Sequence, residues 1–201
     1  MAKTTKERIM QHAKHVFATS GYEGLSMRTL AKQSGISLSV AYHYFKNKDA
    51  LLEELFVATS RDLGKKRALL PKRQSATDML RDRIAFQIDN VTDIVFILKY
   101  YMHFRSDYPK HEYGYLPLQA TKHVTEVLEY GRATNEFIAT QPIISEAKVI
   151  THSINGFLLE YYPTTPDASE KEALISSIHD FVMQAIVRQH IAKPMAKTLS
   201  W

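Results

Sequence analysis

SGISLSVAYHYFKNKDAL, residues 34–51, places Leu38, Val40, Tyr42, Tyr44 and Phe45 on a stretch that reads as one short helix. These are more large side chains than one buried face holds, and the stretch has fewer charges than a solvated face carries. A helical period turns Ile36, Ala41 and Phe45 inward and leaves Leu38, Ser39, Val40, Tyr42 and His43 outward. Ser37 is placed to cap the start of this helix, and Asn47 to cap the next one.

The preceding residues carry equally complete helix signals. Thr4 and Glu7 make a capping box, followed by Ile9, Ala13, Val16, Phe17 and Ser20 on one face and a stop at Gly21. Ser26 reads as the cap of a second helix, Met27 to Ser34, with Leu25 and Leu30 stapling its start and Gly35 ending it. Two short helices across a glycine turn form a helix-turn-helix, with the small Ala31 allowing close approach of the second element. A short capped rod bearing small, apolar and aromatic side chains fits a DNA major groove, where Tyr and His donate to phosphates and apolar groups meet thymine methyls.

Charge points the same way. Residues 1–48 hold eight Lys and Arg against Glu7 and Glu23, whereas the remaining 153 hold 18 basic and 19 acidic side chains. The whole basic excess therefore sits at one end, as a polyanion-binding head on a near-neutral body. Lys46 and Lys48 flank the exposed helix as phosphate anchors, next to the positive end of the fourth helix.

The run GYEGLSMRTLAKQSGISLSVAYHYFKNKDALL, residues 21–52, together with Phe17, resembles the N-terminal DNA-binding domain of the TetR family of bacterial transcriptional regulators. The resemblance covers about residues 5 to 55 and is much more specific than a bare helix-turn-helix. It implies that Ser37 to Tyr44 is the recognition helix, and that Tyr42, Tyr44 and Lys48 grip phosphates together with Arg28 and Thr29. One departure stands out: many relatives carry Lys or Arg where this chain has Leu38, so a bidentate arginine–guanine contact is missing from that position.

Beyond Lys48 the chain continues as helices, without strand alternation or repeats. They run to about Leu69, from Ser75 through Ile88, from Thr92 to Ser106, from Pro117 to Arg132, from Pro142 to Tyr162 and from Ala168 to Ile191. The expected fold is all-α with about nine helices: a three-helix head over residues 1–48, then a helical ligand-binding and dimerisation domain over 49–201. The resemblance implies the roles of that second domain, and two features support them independently. The last helix carries one stripe of Leu174, Ile178, Phe181, Val182, Ala185 and Ile186 and a partial second of Ile175, Met183, Val187 and Ile191. A helix apolar on two sides needs two partners, one of them a second subunit, and Gly156 allows close approach. The alternative is that the monomer's own core covers both stripes.

The second feature is an aromatic cluster: Phe86, Phe96, Tyr100, Tyr101, Met102, His103, Phe104, Tyr108, Tyr113 and Tyr115. It reads equally as the lining of an effector pocket or as ordinary core. Asp89 and Asp93 nearby are compatible with a cationic aromatic or lipophilic effector, and Asn155 and Glu160 are further candidates. The basic run Lys65 to Arg67, with Lys72 and Arg73, reads as a solvated helix end.

Catalysis is not expected. The nine histidines are scattered without a metal-ligand spacing, there is no cysteine for a structural zinc, and no glycine-rich phosphate loop occurs. The polar N-terminus lacks a signal peptide's apolar core, and the longest apolar run, around Ile94 to Leu98, is cut off by Lys99. The expectation is a cytoplasmic homodimer off the membrane that requires no cofactor. It binds a double-stranded operator, as a repressor released by an unidentified small apolar or aromatic effector. Two alternatives stay open: a ligand-independent DNA-binding protein, and an all-α small-molecule module that binds no DNA.

Overall fold

The computed structural model describes residues 4–104, 116–139, 141–163 and 167–186. Among them the chain forms nine α-helices and no strand. Helix α1 (Thr5–Ser20) starts at the expected capping box: the Thr4 amide donates to the Glu7 carboxylate at 2.7 Å, and the Glu7 amide to the Thr4 hydroxyl at 3.2 Å. Two orphan donors are thereby satisfied at once. Gly21 and Gly35 end α1 and α2 (Met27–Gln33) at φ of +69° and +66°, a backbone region that glycine enters without steric cost. Ser26 occupies the position before α2 but makes no side-chain cap bond, so the geometry of the turn starts that helix. Helix α3 (Leu38–Tyr44) and helix α4 (Lys48–Ala68) are capped by Ser37 and Asn47 as expected.

The body comprises α5 (Ala76–Asp89), α6 (Val91–Phe104), α7 (Leu116–Ala133), α8 (Ile143–Tyr161) and α9 (Ala168–Ile186). The buried side chains form two cores. One core joins α1 to α4 with α6, through Phe17, Leu30, Leu52, Phe56, Phe96 and Tyr100. The other joins α5, α7, α8 and α9, through Leu80, Ile84, Leu128, Ile154, Ile178 and Ile186. Helices α4 and α6 thus belong to the head's core as much as to the body. The physical reason is that α6 is apolar on more than one side: Phe96 and Tyr100 are buried in the core with α1 and α4, while Val91 and Ile94 also pack against the second core.

Rings make that seam. Phe17 meets Phe96 edge-on with centroids 5.5 Å apart, and Phe56 stacks on Tyr100 at 4.3 Å. Such pairs contribute about 0.5–1.5 kcal/mol each beyond the area they bury. Polar ties rim the seam: Lys14 bonds Asp93 at 2.7 Å, and Lys99 donates to the carbonyl of Ala18.

A cap not expected from the sequence locks the second core. Glu136, just beyond α7, accepts from the amides of Ala76 and Thr77 at 2.9 and 3.2 Å and from the Ser75 hydroxyl at 3.0 Å. A carboxylate at the positive end of α5, fed by several donors, has its pKa lowered to about 2, the Ala76 amide being the largest cause. Because the folded-state pKa lies below the unfolded one, this stabilisation is complete above the ordinary carboxylate range and is lost as pH falls towards 2. Glu136→Ala is expected to lower unfolding stability by about 1–2 kcal/mol at neutral pH. Urea denaturation at several pH values checks it: the gap between wild type and variant should shrink progressively below about pH 4.5.

Candidate nucleic-acid interface and body cavity

Helices α2 and α3 pack together, and the small Ala31 and Ala41, each at most 2% exposed, are buried in the same core. That packing, with Phe45 also buried, fixes which side of α3 looks out. Val40, Tyr42 and Tyr44 are 39%, 48% and 40% exposed, and Ser39 and His43 are exposed beside them. The Ser37 hydroxyl accepts from the Val40 amide at 3.3 Å and lies 2.9 Å from the Ser39 hydroxyl, so the first turn is held by its own side chains. Arg28 and Thr29 are exposed at the start of α2, and Lys46 is exposed just after α3. The outward face read from the sequence is thus assembled on one side of the head, with one correction. Leu38 is half-buried against the head's core instead of standing free, because an apolar side chain at the edge of a core gains by covering it.

Lys48 is already engaged. Its ammonium lies 3.5 Å from the Tyr22 ring centroid and donates to the Tyr22 carbonyl at 3.3 Å. The Tyr22 hydroxyl in turn donates to Asp49 at 2.5 Å, and this bond pushes the phenol up to about 12. On its other contact Tyr22 stacks with His103 at 4.1 Å. His103, expected in a pocket, is therefore an exposed clasp between α6 and the head.

The other candidates for ligand binding separate into three groups. Phe96 and Tyr100 are 0% and 2% exposed in the head–body seam, with Phe104 4.6 Å from Tyr100 and Tyr101 partly buried on the same core. They are core, since the rings they meet come from α1 and α4. Asp89 and Asp93 form ion pairs, with Lys171 and with Lys14 and Lys66 respectively, which cancels the negative field that a cationic effector needs. Phe86 and Asn155 line a partly enclosed cavity, whereas Asp89 and Asp93 line a more open surface groove. Glu160 is exposed on α8, while Tyr108, Tyr113, Tyr115, Val187 and Ile191 lie outside the described residues.

That cavity, about 70 Å³, lies where α4, α5 and α6 converge, with Leu63, Ile94, Ile97 and Leu98 as apolar wall. Its polar lining is Arg67, Arg83, Gln87 and Asn155. The sequence pattern singles out none of the first three, and Arg67 falls in the basic run that reads as a solvated helix end. Yet a signal existed: Arg67 continues the buried row Phe56, Thr59, Leu63 of α4, and Arg83 sits on α5 one turn before Phe86 and Gln87. Burial lowers both guanidinium pKa values, and that of Arg83 falls to about 10 with Arg67 as second cause. Burial likewise lowers the pKa of nearby His123, despite its contact of 3.1 Å with Glu126. Among the described residues there is no cluster of side chains arranged to hold a metal ion.

A capped helix-turn-helix presenting an aromatic, lysine-flanked face is thus set on an all-α body. Residues 9–55 match the N-terminal domain that defines the tetR family of bacterial regulatory proteins. The chain is 30% identical over 80 residues to the HTH-type transcriptional repressor Rv1474c of Mycobacterium tuberculosis, covering 40% of this chain and 41% of that protein. It is 24% identical over 203 residues to the uncharacterized HTH-type transcriptional regulator YerO of Bacillus subtilis, covering 96% of this chain and 70% of that one. The matching stretch spans about two-fifths of the length of relatives such as Rv1474c. A bacterial regulatory protein of the tetR family from Rhodococcus RHA1 superposes with a TM-score of 0.71 at 17% identity, over 94% of this chain and 100% of that one. At that identity the likeness concerns the fold.

Ala41 is the fully buried residue of α3. Ala41→Leu should overpack the core around it and cost about 1–3 kcal/mol in chemical denaturation, whereas Ser39→Ala on the outer face should stay within about 0.5 kcal/mol.

Proposed function

We propose that this chain is a homodimeric DNA-binding transcriptional regulator, a repressor released from a palindromic operator by a small effector. The observation that carries this reading is the outward face of α3: Ser39, Val40, Tyr42, His43 and Tyr44 stand exposed beside Lys46, on the part of the chain that holds all of the basic excess. Phosphates are gripped by the two tyrosines, Lys46, Arg28 and Thr29, while Val40 and the remaining surface of half-buried Leu38 supply apolar contacts to thymine methyls. Lys48 joins them by leaving Tyr22 or by acting through its field from where it lies.

Dimerisation is supported by what α8 and α9 leave uncovered. Val149 and Phe181 are 62% and 58% exposed, and Phe157 is 37% exposed. Gly156 lies between these residues on α8, and a methyl group built there would meet nothing within 4 Å. A glycine in a helix interior costs about 0.8–1 kcal/mol relative to alanine, and nothing within the subunit needs it. Close approach by the same helices of a second copy gives it a purpose.

The cavity supplies the coupling. Helix α4 runs unbroken from Lys48, beside α3, to Leu63 and Arg67 at the cavity, a span of about 28 Å between Lys48 and Arg67. An effector that parts α4 from α5 and α6 tilts the head through one rigid element, and does so only in proportion to its preference for the tilted state.

Two measurements test the reading. Binding to operator DNA should weaken steeply with salt, and Lys46→Ala should reduce the log–log slope by roughly one; affinity that ignores salt removes the DNA role. Gly156→Leu should convert a dimer to a monomer by light scattering. If the mass is unchanged and the variant is simply more stable, the α8–α9 interface is wrong.

A further inference from the structure

The cavity's polar lining carries information on what it binds, and this inference deepens the regulator reading and rests on it for its biological meaning. Arg67 and Arg83 both line the cavity, and the Nε atom of each is buried without a hydrogen-bond partner. Among the described residues neither arginine takes part in a salt bridge. Arg67 lies over the Phe86 ring at 5.6 Å, a contact that eases its burial without cancelling its charge. The carboxylate that acts on Arg83, Glu126, is itself bonded to His123. Gln87 adds a buried carbonyl oxygen without a partner. Two half-buried guanidiniums, each with its Nε buried and unpaired and neither in an ion pair among the described residues, are costly to hold side by side, and a bound anion would offset that cost.

We propose that this cavity takes the carboxylate of a small organic acid with an apolar body, with Arg67 and Arg83 as its two clamps. A guanidinium presents a planar fork of donors that matches a carboxylate bidentately, and two of them satisfy both oxygens from either side. A half-turn of the Gln87 amide presents its NH2 to the same group. Leu63, Ile94, Ile97 and Leu98 then accept the ligand's hydrocarbon. The cavity as it stands, about 70 Å³, holds the acid group and a few carbons. A longer body must therefore wedge α4 away from α5 and α6, which is the movement required for release from DNA. The charge preference is the reverse of that read from Asp89 and Asp93, which are already paired with lysines.

The test uses the full chain without DNA. Calorimetric titration and thermal shift are run with octanoate and phenylacetate, against octanamide, phenylacetamide and octylamine as matched neutral and cationic probes. At least one acid should bind and raise the melting temperature, with its amide weaker by about tenfold or more and the amine without effect. Arg67→Met and Arg83→Met should each abolish the preference for acid over amide while leaving the unliganded melting temperature unchanged or higher, since each removes a half-buried charge whose Nε has no partner. Arginines that serve only the fold would lower it instead. Arg83→Lys, which keeps the charge but not the fork, should retain part of the preference.

The inference is overturned if no acid binds up to its solubility limit, if amide or amine binds as well as acid, or if the methionine variants keep the preference. Because this readout involves no DNA, its failure leaves the salt-dependence test of operator binding untouched. An acid that binds but leaves operator affinity unchanged confirms the clamps and removes their regulatory role.

Discussion

The contact on which the rest of this molecule depends is the seam of α6 against α1 and α4. Phe96 and Tyr100 are buried between Phe17 and Phe56, and this single interdigitation makes the head part of a larger core. A head of about 45 residues buries too little surface to be secure alone. By sharing α4 and α6 with the body it gains stability and also a defined orientation. That orientation gives the exposed face of α3 a fixed direction relative to α8 and α9, where a second copy is proposed to dock.

The same seam explains how a remote cavity can matter to the head. Helices α4, α5 and α6 meet at the cavity, and two of the three are also walls of the head's core. Packed interiors transmit displacement because they have little free volume to absorb it. Lys14, Lys66 and Asp93 tie α1, α4 and α6 together at the rim, and His103 stacks on Tyr22 at the other side. A change in the α4–α6 angle must therefore either break these contacts or carry the head along.

Charge is distributed with comparable economy. The basic excess is confined to the head's surface, where water screens it until a polyanion arrives. Five acids of the body are paired: Asp82 with Arg73, Asp89 with Lys171, Asp93 with Lys14 and Lys66, Glu146 with Arg132 and Glu172 with Arg81. Against that background the two guanidiniums of the cavity are the exception. It is the contrast with five paired acids that gives their isolation meaning.

The sequence by itself determined whatever is encoded within a few residues. The Thr4–Glu7 box, the Ser37 and Asn47 caps, the stops at Gly21 and Gly35 and the helical period placed the elements and the outward face of α3, because caps and turns are local chemistry. Only the tertiary structure decided which apolar faces meet. It sent Phe96 and Tyr100 into the seam, half-covered Leu38, joined Glu136 to the start of α5 and turned Arg67 and Arg83, 16 positions apart in sequence, into one cavity. Periodicity marks a side chain as inward without naming its neighbours. Whether an inward arginine meets a carboxylate or an empty space depends on elements distant in the chain.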